Sequence, residues 1–310
     1  SGSDKEYFVF FETKDEKQSL GQRTQAALKA LGIKARPTEL FDAINGFSIQ
    51  LNQYEADTLR KSPDIGSIEV DRPMPLTPPI DIKPVESKNS WSSNTETNHQ
   101  SPKTSKINDT KKLSIGKLIS NNNSEPIKQP ITNQEYGELN SLPVYGDSTA
   151  TTGEVLPYGI KAVWGGVDVS SKGNIGTGTY AFIIDSGILN TTNDLNVNTN
   201  WSKSWINGEN AFTDGNGHGT HVAGTIAALA NGKGVVGVAP GAEVISLKVF
   251  NSSGGGASYS TIISAINYAV EIINNNALDK SKTVINMSLG GGFSTGLDAA
   301  VKNAANQGIK

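Results

Sequence analysis

The stretch TYAFIIDSGI (179–188) decides the fold. From Thr179 to Ile184 it is an apolar run that stops on a carboxylate, Asp185, and a glycine turn. Such a run without polar alternation reads as a strand buried on both faces, the habit of parallel sheets. A carboxylate just beyond the C-terminal end of a parallel strand lies where open α/β sheets keep their sites. Taken by itself, the same Asp also reads as a turn or helix-capping residue. Working outward, Thr220–Leu229 has a helical pattern and Val244–Phe250 (VISLKVF) reads as a second strand. A long helix over Thr261–Asn274, a third strand over Thr283–Met287 and a helix over Gly296–Gln307 follow. Strands alternating with helices predict an α/β domain with a parallel sheet covered on both faces.

The stretch GNGHGTHVAG (215–224) sets two of the three histidines among glycines just ahead of an apolar helix. Glycines let another backbone come close, so His218 is placed to reach a substrate. His221 lies about one helical turn on and reads as a structural histidine. The HxxH pair lacks the glutamate of HExxH and a third ligand, which argues against zinc. GNIGTGTY (173–180) looks like a phosphate loop but precedes a strand instead of following one, which excludes dinucleotide binding.

Composition narrows the classes. A formal net charge of −3 gives no reason to expect nucleic acid or an anionic membrane. The absence of cysteine excludes disulfides, thiolate catalysis and cysteine-bound zinc. No apolar run approaches the ~20 residues that span a bilayer. The start, SGSDKEYF, lacks an initiator Met and a leader pattern and reads as a processed end. Mean hydropathy of −0.33 points to a part of the chain that does not pack.

That part is 77–150, dense in Ser, Asn, Thr, Lys and Pro, expected to be a flexible linker. His99 lies within it and is given no role. Residues 1–76 read as a small α+β unit. Its elements are a strand at Lys5–Glu12, helix Gln18–Leu31, a strand or hairpin arm at Phe41–Leu51, helix Gln53–Ser62 and strand Ile65–Val70. The order suggests a split βαβ, ferredoxin-like layer.

Four collinear motifs, IIDSGI, GNGHGTHVAGT, GVVGVAPGAEVISLKVF (234–250) and VINMSLGG (284–291), resemble subtilisin-type serine peptidases over about 154–310. FDAINGFSIQLNQYEADTLRKSPDIGSIEVDRP (41–73) resembles the propeptide inhibitor domain of the same enzymes. The resemblance implies an inhibitor-like domain over 1–76 and the N-terminal part of a peptidase domain over 151–310. It implies that His218 is the general base and that Asp185 orients it and stabilises its imidazolium. Gly254, Gly255 and Gly256 align with one backbone segment that clasps an extended peptide, and Ser288, Leu289 and Gly290 with the other. It also implies Ca²⁺, held by Glu154, Asp194, Leu229, Asn231, Lys233 and Val235, an all-oxygen set suited to that ion.

The family's nucleophile lies in a Gly-Thr-Ser-Met-Ala stretch, and its oxyanion Asn in an Ala-Gly-Asn turn; neither occurs in these 310 residues. Ser288 takes a backbone role by resemblance and is not read as a substitute. The expectation is therefore the N-terminal, C-terminally truncated part of a secreted, calcium-dependent endopeptidase zymogen, inactive by itself. Its partners would be polypeptide substrates, its own propeptide in the cleft and the remaining part of the peptidase domain. Processing is expected near Leu76–Thr77 or within 145–153. The alternative is a non-catalytic peptidase inhibitor or binding protein built from the same modules.

Overall fold

Lys5–Phe11 (KEYFVFF) forms strand β1, and its unbroken apolar run follows from being covered on both faces. Tyr7, Val9 and Phe11 pack with Leu20, Leu28, Ile49 and Leu59 on one side. Phe8 and Phe10 join Phe41, Ile44 and Met74 on the other. The structure, a computed structural model, describes residues 4–76, 148–149 and 153–310. The linker expected over 77–150 therefore lies outside the described residues, apart from Ser148–Thr149.

After β1 come α1 (Leu20–Ala30), β2 (Pro37–Phe41), β3 (Gly46–Leu51), α2 (Gln53–Arg60), β4 (Ile65–Val70) and the short β5 (Pro73–Met74). Strands β1 to β4 make one antiparallel sheet in the order β2-β3-β1-β4. Helices α1 and α2 cover its Tyr7 face. Both open with capping boxes, Ser19 with Gln22 and Asn52 with Glu55, which satisfy first-turn amides. The ferredoxin-like layer is present, with two corrections: the expected strand or hairpin arm Phe41–Leu51 turns through a 3₁₀ segment at Asp42–Ile44 and is a strand only from Gly46, and one strand was missed. Residues 37–41 form a strand that the sequence reading passed over. PTELF begins on proline and is exposed from Thr38 to Leu40, so as an edge strand it shows no alternation.

The second part begins with β6 (Ser148–Thr149), antiparallel to β7 (Val155–Leu156). It continues through α3 (Tyr158–Val163), β8 (Tyr180–Asp185), β9 (Lys203–Ser204), α4 (His218–Ala227) and β10 (Glu243–Lys248). Then follow β11 (Ala257–Ser258), α5 (Tyr259–Asn275), β12 (Thr283–Asn286) and α6 (Thr295–Asn306). The sheet order β12-β8-β10-β9 is parallel throughout, with Asp185 opposite Lys248. Period-2 alternation sends Ala181, Ile183 and Val244 toward α4. Phe182, Ile184, Ile245 and Leu247 face the cluster that includes α5 and α6. Helix α4 starts at His218, two residues before the expected Thr220. Strand β12 is an edge among the described residues, and its Ile285 N–H donates to the Lys310 carbonyl at 2.7 Å.

The small antiparallel sheet and the larger domain share one apolar cluster. Phe8, Phe10, Phe41 and Ile44 belong to the same cluster as Ile262 and Ile266 of α5 and Ala300 and Ala304 of α6. Burying each Phe contributes roughly 1.5–3 kcal/mol. The approach requires glycine at the start of α6, because a Cβ on Gly296 would lie 2.8 Å from Phe10 Cζ and 3.0 Å from the Phe8 ring. Gly296→Ala should cost ~1–3 kcal/mol by overpacking and lower the thermal midpoint by several degrees. Gly159→Ala in α3, where an added Cβ meets nothing within 4 Å, should leave the midpoint unchanged or raise it. A scanning calorimetry trace of each variant checks the contrast.

Candidate active site

Asp185 is the last residue of β8 and is 1% exposed. Its Oδ1 accepts from His218 Nδ1 at 2.8 Å and from the Ser186 amide at 2.7 Å, while Oδ2 lies 3.0 Å from Nδ1. Burial raises the Asp185 carboxyl above its ordinary range, opposed by the hydrogen bonds from His218 and the Ser186 amide. An ionised carboxylate only accepts, so Nδ1 carries the proton and the Nε2 lone pair is left for a reacting group. The imidazole is 15% exposed, so it can be reached from solvent.

The two segments are stitched together by Ser186 and Asp214. Ser186 Oγ donates to Asp214 Oδ1 at 2.8 Å and accepts from the Gly219 amide at 2.9 Å. Asp214 also accepts from the amides of Gly217 at 2.9 Å and Thr220 at 2.8 Å, and from Thr220 Oγ1 at 2.5 Å. A carboxylate at the start of α4 thus supplies partners that first-turn amides lack, with favourable dipole interaction. Thr220 Oγ1 in turn accepts from the Leu189 amide at 2.9 Å. The contact is close enough to demand glycine after His218: a Cβ on Gly219 would sit 2.1 Å from the Gly187 carbonyl. His221 is exposed and forms no pair with His218 in the hydrogen-bond network of the described residues.

Behind Asp185 lies a fully buried lysine. Lys248 Nζ donates to the Ser186 carbonyl and pairs with Glu209 Oε2 at 3.0 Å. Glu209 accepts from Ser252 Oγ at 2.6 Å and from the Ser252 amide at 3.2 Å. Residues 251–256 form the glycine loop, so one ion pair links it to the end of β8. None of Ser186, Glu209, Asp214, Lys248 or Ser252 was singled out from sequence. The signal for Lys248 was present: a charged residue inside the apolar run VISLKVF needs a buried partner.

The glycine loop leads into β11, which pairs antiparallel with β5: Ala257 opposite Met74 and Ser258 opposite Pro73. The Tyr259 amide donates to the Arg72 carbonyl at 3.2 Å. Met74 is buried, with its Cγ and Cε 3.4 Å from the Cβ position of Gly291. Leu76 Cδ2 lies 3.8 Å from the Cβ position of Gly254. On the other flank Arg72 donates to the Phe293 carbonyl at 2.9 Å, and Tyr259 Oη to the Gly292 carbonyl at 2.5 Å. Residues 72–76 therefore run between residues 257–259 and 291–293. The strand pairing falls at 257–258, just after Gly254–Gly256, and the second flank touches 291–293, just after Ser288, Leu289 and Gly290. Ser288 Oγ accepts from Asn286 Nδ2 at 3.0 Å.

Three carboxylates of the small module reinforce this docking. Glu69 accepts from Ser294 Oγ at 2.7 Å and from the Thr295 and Gly296 amides at 3.1 Å, at the start of α6. Asp71 accepts from the Ser260 amide at 3.1 Å and from Ser260 Oγ, at the start of α5. Glu39 accepts from Ser264 Oγ at 2.7 Å. The spacing of Glu69 and Asp71, two apart on an extended chain, carried the signal, since it sends both to one side.

The six residues expected to bind calcium come together in one loop cluster. Glu154, 3% exposed, accepts from the Asn231 and Gly232 amides at 2.7 and 2.9 Å. Asp194 accepts from Asn231 Nδ2 at 2.9 Å, and Asn231 Oδ1 accepts from the Lys233 amide at 3.0 Å. A recess of about 390 Å³ is lined by Thr192, Asn193, Asp194, Asn231, Lys233 and Gly234. Among the described residues, the carbonyls of Leu229, Lys233 and Val235 accept no hydrogen bond, whereas those of Ala228 and Gly234 do. Alternate free carbonyls beside a carboxylate and an Asn amide are an oxygen donor set that fits a hard cation.

Residues 176–309 match the subtilase family, and residues 12–77 match the peptidase inhibitor I9 family. The second part of the chain is thus similar to subtilases, and the first to their I9 inhibitor modules. Subtilisin DY of Bacillus licheniformis is 46% identical over 157 residues, covering 50% of this chain and 53% of that protein. Subtilisin E of Bacillus subtilis (strain 168) is 44% identical over 156 residues, 50% of this chain and 38% of that protein. An alkaline protease of Shouchella clausii is 40% identical over 165 residues, 53% of this chain and 40% of that protein. The chain spans about half, or less, of the length of these subtilases. The fold resembles fervidolysin from Fervidobacterium pennivorans, a keratinolytic enzyme related to subtilisin. The TM-score is 0.59 at 21% identity, covering 99% of this chain and 39% of that one. A subtilase fold with an inhibitor module ahead of it accounts for both sheets.

The Glu209 carboxyl is pulled down to about 2, first by the Ser252 hydroxyl, then by the Ser252 amide and Lys248, against the opposing effect of burial. A depressed carboxyl adds stability that is present above its unfolded pKa near 4.5 and lost as pH falls toward 2. Ser252→Ala should therefore flatten the loss of stability across that acid window. Urea midpoints measured at several pH values between the two limits, for both proteins, check it.

Proposed function

We propose that the chain is the inhibitor module and the Asp/His part of a secreted, calcium-dependent subtilisin-like serine endopeptidase zymogen. Residues 1–76 form the inhibitory propeptide, 77–150 the connecting segment and 151–310 the N-terminal part of the peptidase domain. The observation that carries this reading is the buried Asp185 carboxylate at the end of β8, closing on His218 Nδ1 at 2.8 Å. His218 Nε2 takes the proton from an attacking hydroxyl and later gives it to the leaving amine. Asp185 holds the tautomer that makes this possible and stabilises the imidazolium. The motifs that carry the family's serine and oxyanion donor are not among these 310 residues, and His218 is the base that would serve them.

Residues 72–76 sit as a substrate strand would, with main-chain pairing supplying affinity that does not depend on side-chain identity. The propeptide thereby excludes polypeptide substrates from the cleft. Once it leaves, Gly254–Gly256 and Ser288–Gly290 would be open to clasp an extended substrate. Ca²⁺, when bound, would cross-link the loop and offset the charge of Asp194 and Glu154. Asp194 and the carbonyls of Leu229, Lys233 and Val235 would hold it, with Asn231 turning its Oδ1 inward and Glu154 organising the loop amides. No helix among the described residues is long and apolar enough to cross a membrane.

In the complete protein, His218→Ala should abolish self-processing and leave the zymogen as one band on a denaturing gel. Efficient processing of that variant would remove His218 from the base role. Chelator should lower the thermal midpoint of the wild-type chain by several degrees, and Asp194→Asn should abolish that response. A midpoint insensitive to chelator in the wild type would refute the calcium assignment.

A further inference from the structure

Four Asn-Gly steps occur in the sequence: Asn45-Gly46, Asn207-Gly208, Asn216-Gly217 and Asn231-Gly232. At such a step the glycine amide nitrogen can attack the Asn Cγ, since no following side chain crowds its approach. The reaction needs a free glycine nitrogen and an Asn side chain that can rotate. The structure treats the four unequally.

Asn45 is clamped: Nδ2 donates to the carbonyls of Phe11 and Thr13, and Oδ1 accepts from Arg23 at 2.8 Å. At Asn216, Oδ1 accepts from the His218 amide at 3.3 Å and the Gly217 amide is held by Asp214 at 2.9 Å. At Asn231, the side chain is shared between Asp194 and the Lys233 amide, and the Gly232 amide is held by Glu154 at 2.9 Å. Asn207 and Gly208 differ. Both are exposed, and among the described residues neither the Asn207 side chain nor the Gly208 amide makes a hydrogen bond. Beyond its chain neighbours no atom lies within 4 Å of the Gly208 Cβ position, and the turn is closed only by the Glu209 amide donating to the Ile206 carbonyl at 3.2 Å.

We propose that Asn207-Gly208 is a self-modification site of this chain. The Gly208 nitrogen, having lost its proton, forms a bond to Cγ of Asn207, and the side-chain nitrogen leaves as ammonia. Water then opens the resulting succinimide at either carbonyl, giving Asp or isoaspartate. The net change is one water consumed and one ammonia released. The product places a new carboxylate two residues before Glu209, and the isoaspartate form lengthens the main chain by one carbon. Glu209 is the residue that ties Ser252 to Lys248, so the modified turn holds the glycine loop less firmly. This inference does not rest on the peptidase reading.

The test is a peptide map of the 310-residue chain, aged in mildly alkaline buffer at physiological temperature, with fragmentation that separates Asp from isoaspartate. Asn207 should convert several-fold faster than Asn45, Asn216 and Asn231. In concentrated urea the four steps should approach a common rate. Glu154→Ala should accelerate conversion at Asn231 and leave Asn207 unchanged. An unmodified Asn207 in the folded chain, another step converting first, or the same Asn207 preference in urea would each overturn the proposal.

Discussion

A carboxylate kept dry at the end of a strand is the constraint from which the larger domain follows. An unpaired buried charge costs several kcal/mol, so Asp185 is tolerable only with donors on every side that faces protein. The Ser186 amide and the His218 ring supply them directly. Lys248 acts one step away, through the Ser186 carbonyl, and is itself neutralised by Glu209. Parallel register places Lys248 beside Asp185, so the sheet arranges the charges before any loop does.

The same device recurs at three helix starts. Asp214 satisfies amides at the start of α4, Asp71 at α5 and Glu69 at α6. Asp214 comes from the turn just ahead of its helix, but the other two come from the inhibitor module. Each places an acid where amides are unpaired and the helix dipole is positive. The polar contacts thus tie the small sheet to the starts of α5 and α6, while Phe8, Phe10, Phe41 and Ile44 join the apolar cluster of those helices.

Three of the four strands of the parallel sheet were legible because they are largely apolar, and its helices because they are periodic, with ends off by one or two residues; β9, only Lys203–Ser204, carries no such signal. The Asp185–His218 pair and the cluster around Glu154 and Asp194 were named only through the resemblance of their motifs to subtilisin-type peptidases. Strand β2 was not legible, since an exposed edge strand carries no alternation to read. Nor were Asp214 and Glu209, whose work depends on loops that meet only in the fold. The docking acids Glu69 and Asp71 were visible as charges, but their partners lie far along the chain.

That distance has a consequence for strength. Ser294 and Glu69 are separated by 225 residues, yet they share a hydrogen bond. While the chain is continuous, their meeting is intramolecular, and closure cost grows only with the logarithm of the intervening length, about 0.6 kcal/mol per doubling. Once any bond between them is cut, the same contacts must be made by two molecules at their ambient concentration, without the high effective concentration of a tether. The contacts need not change for the small module to loosen its hold; the chain has only to lose its continuity.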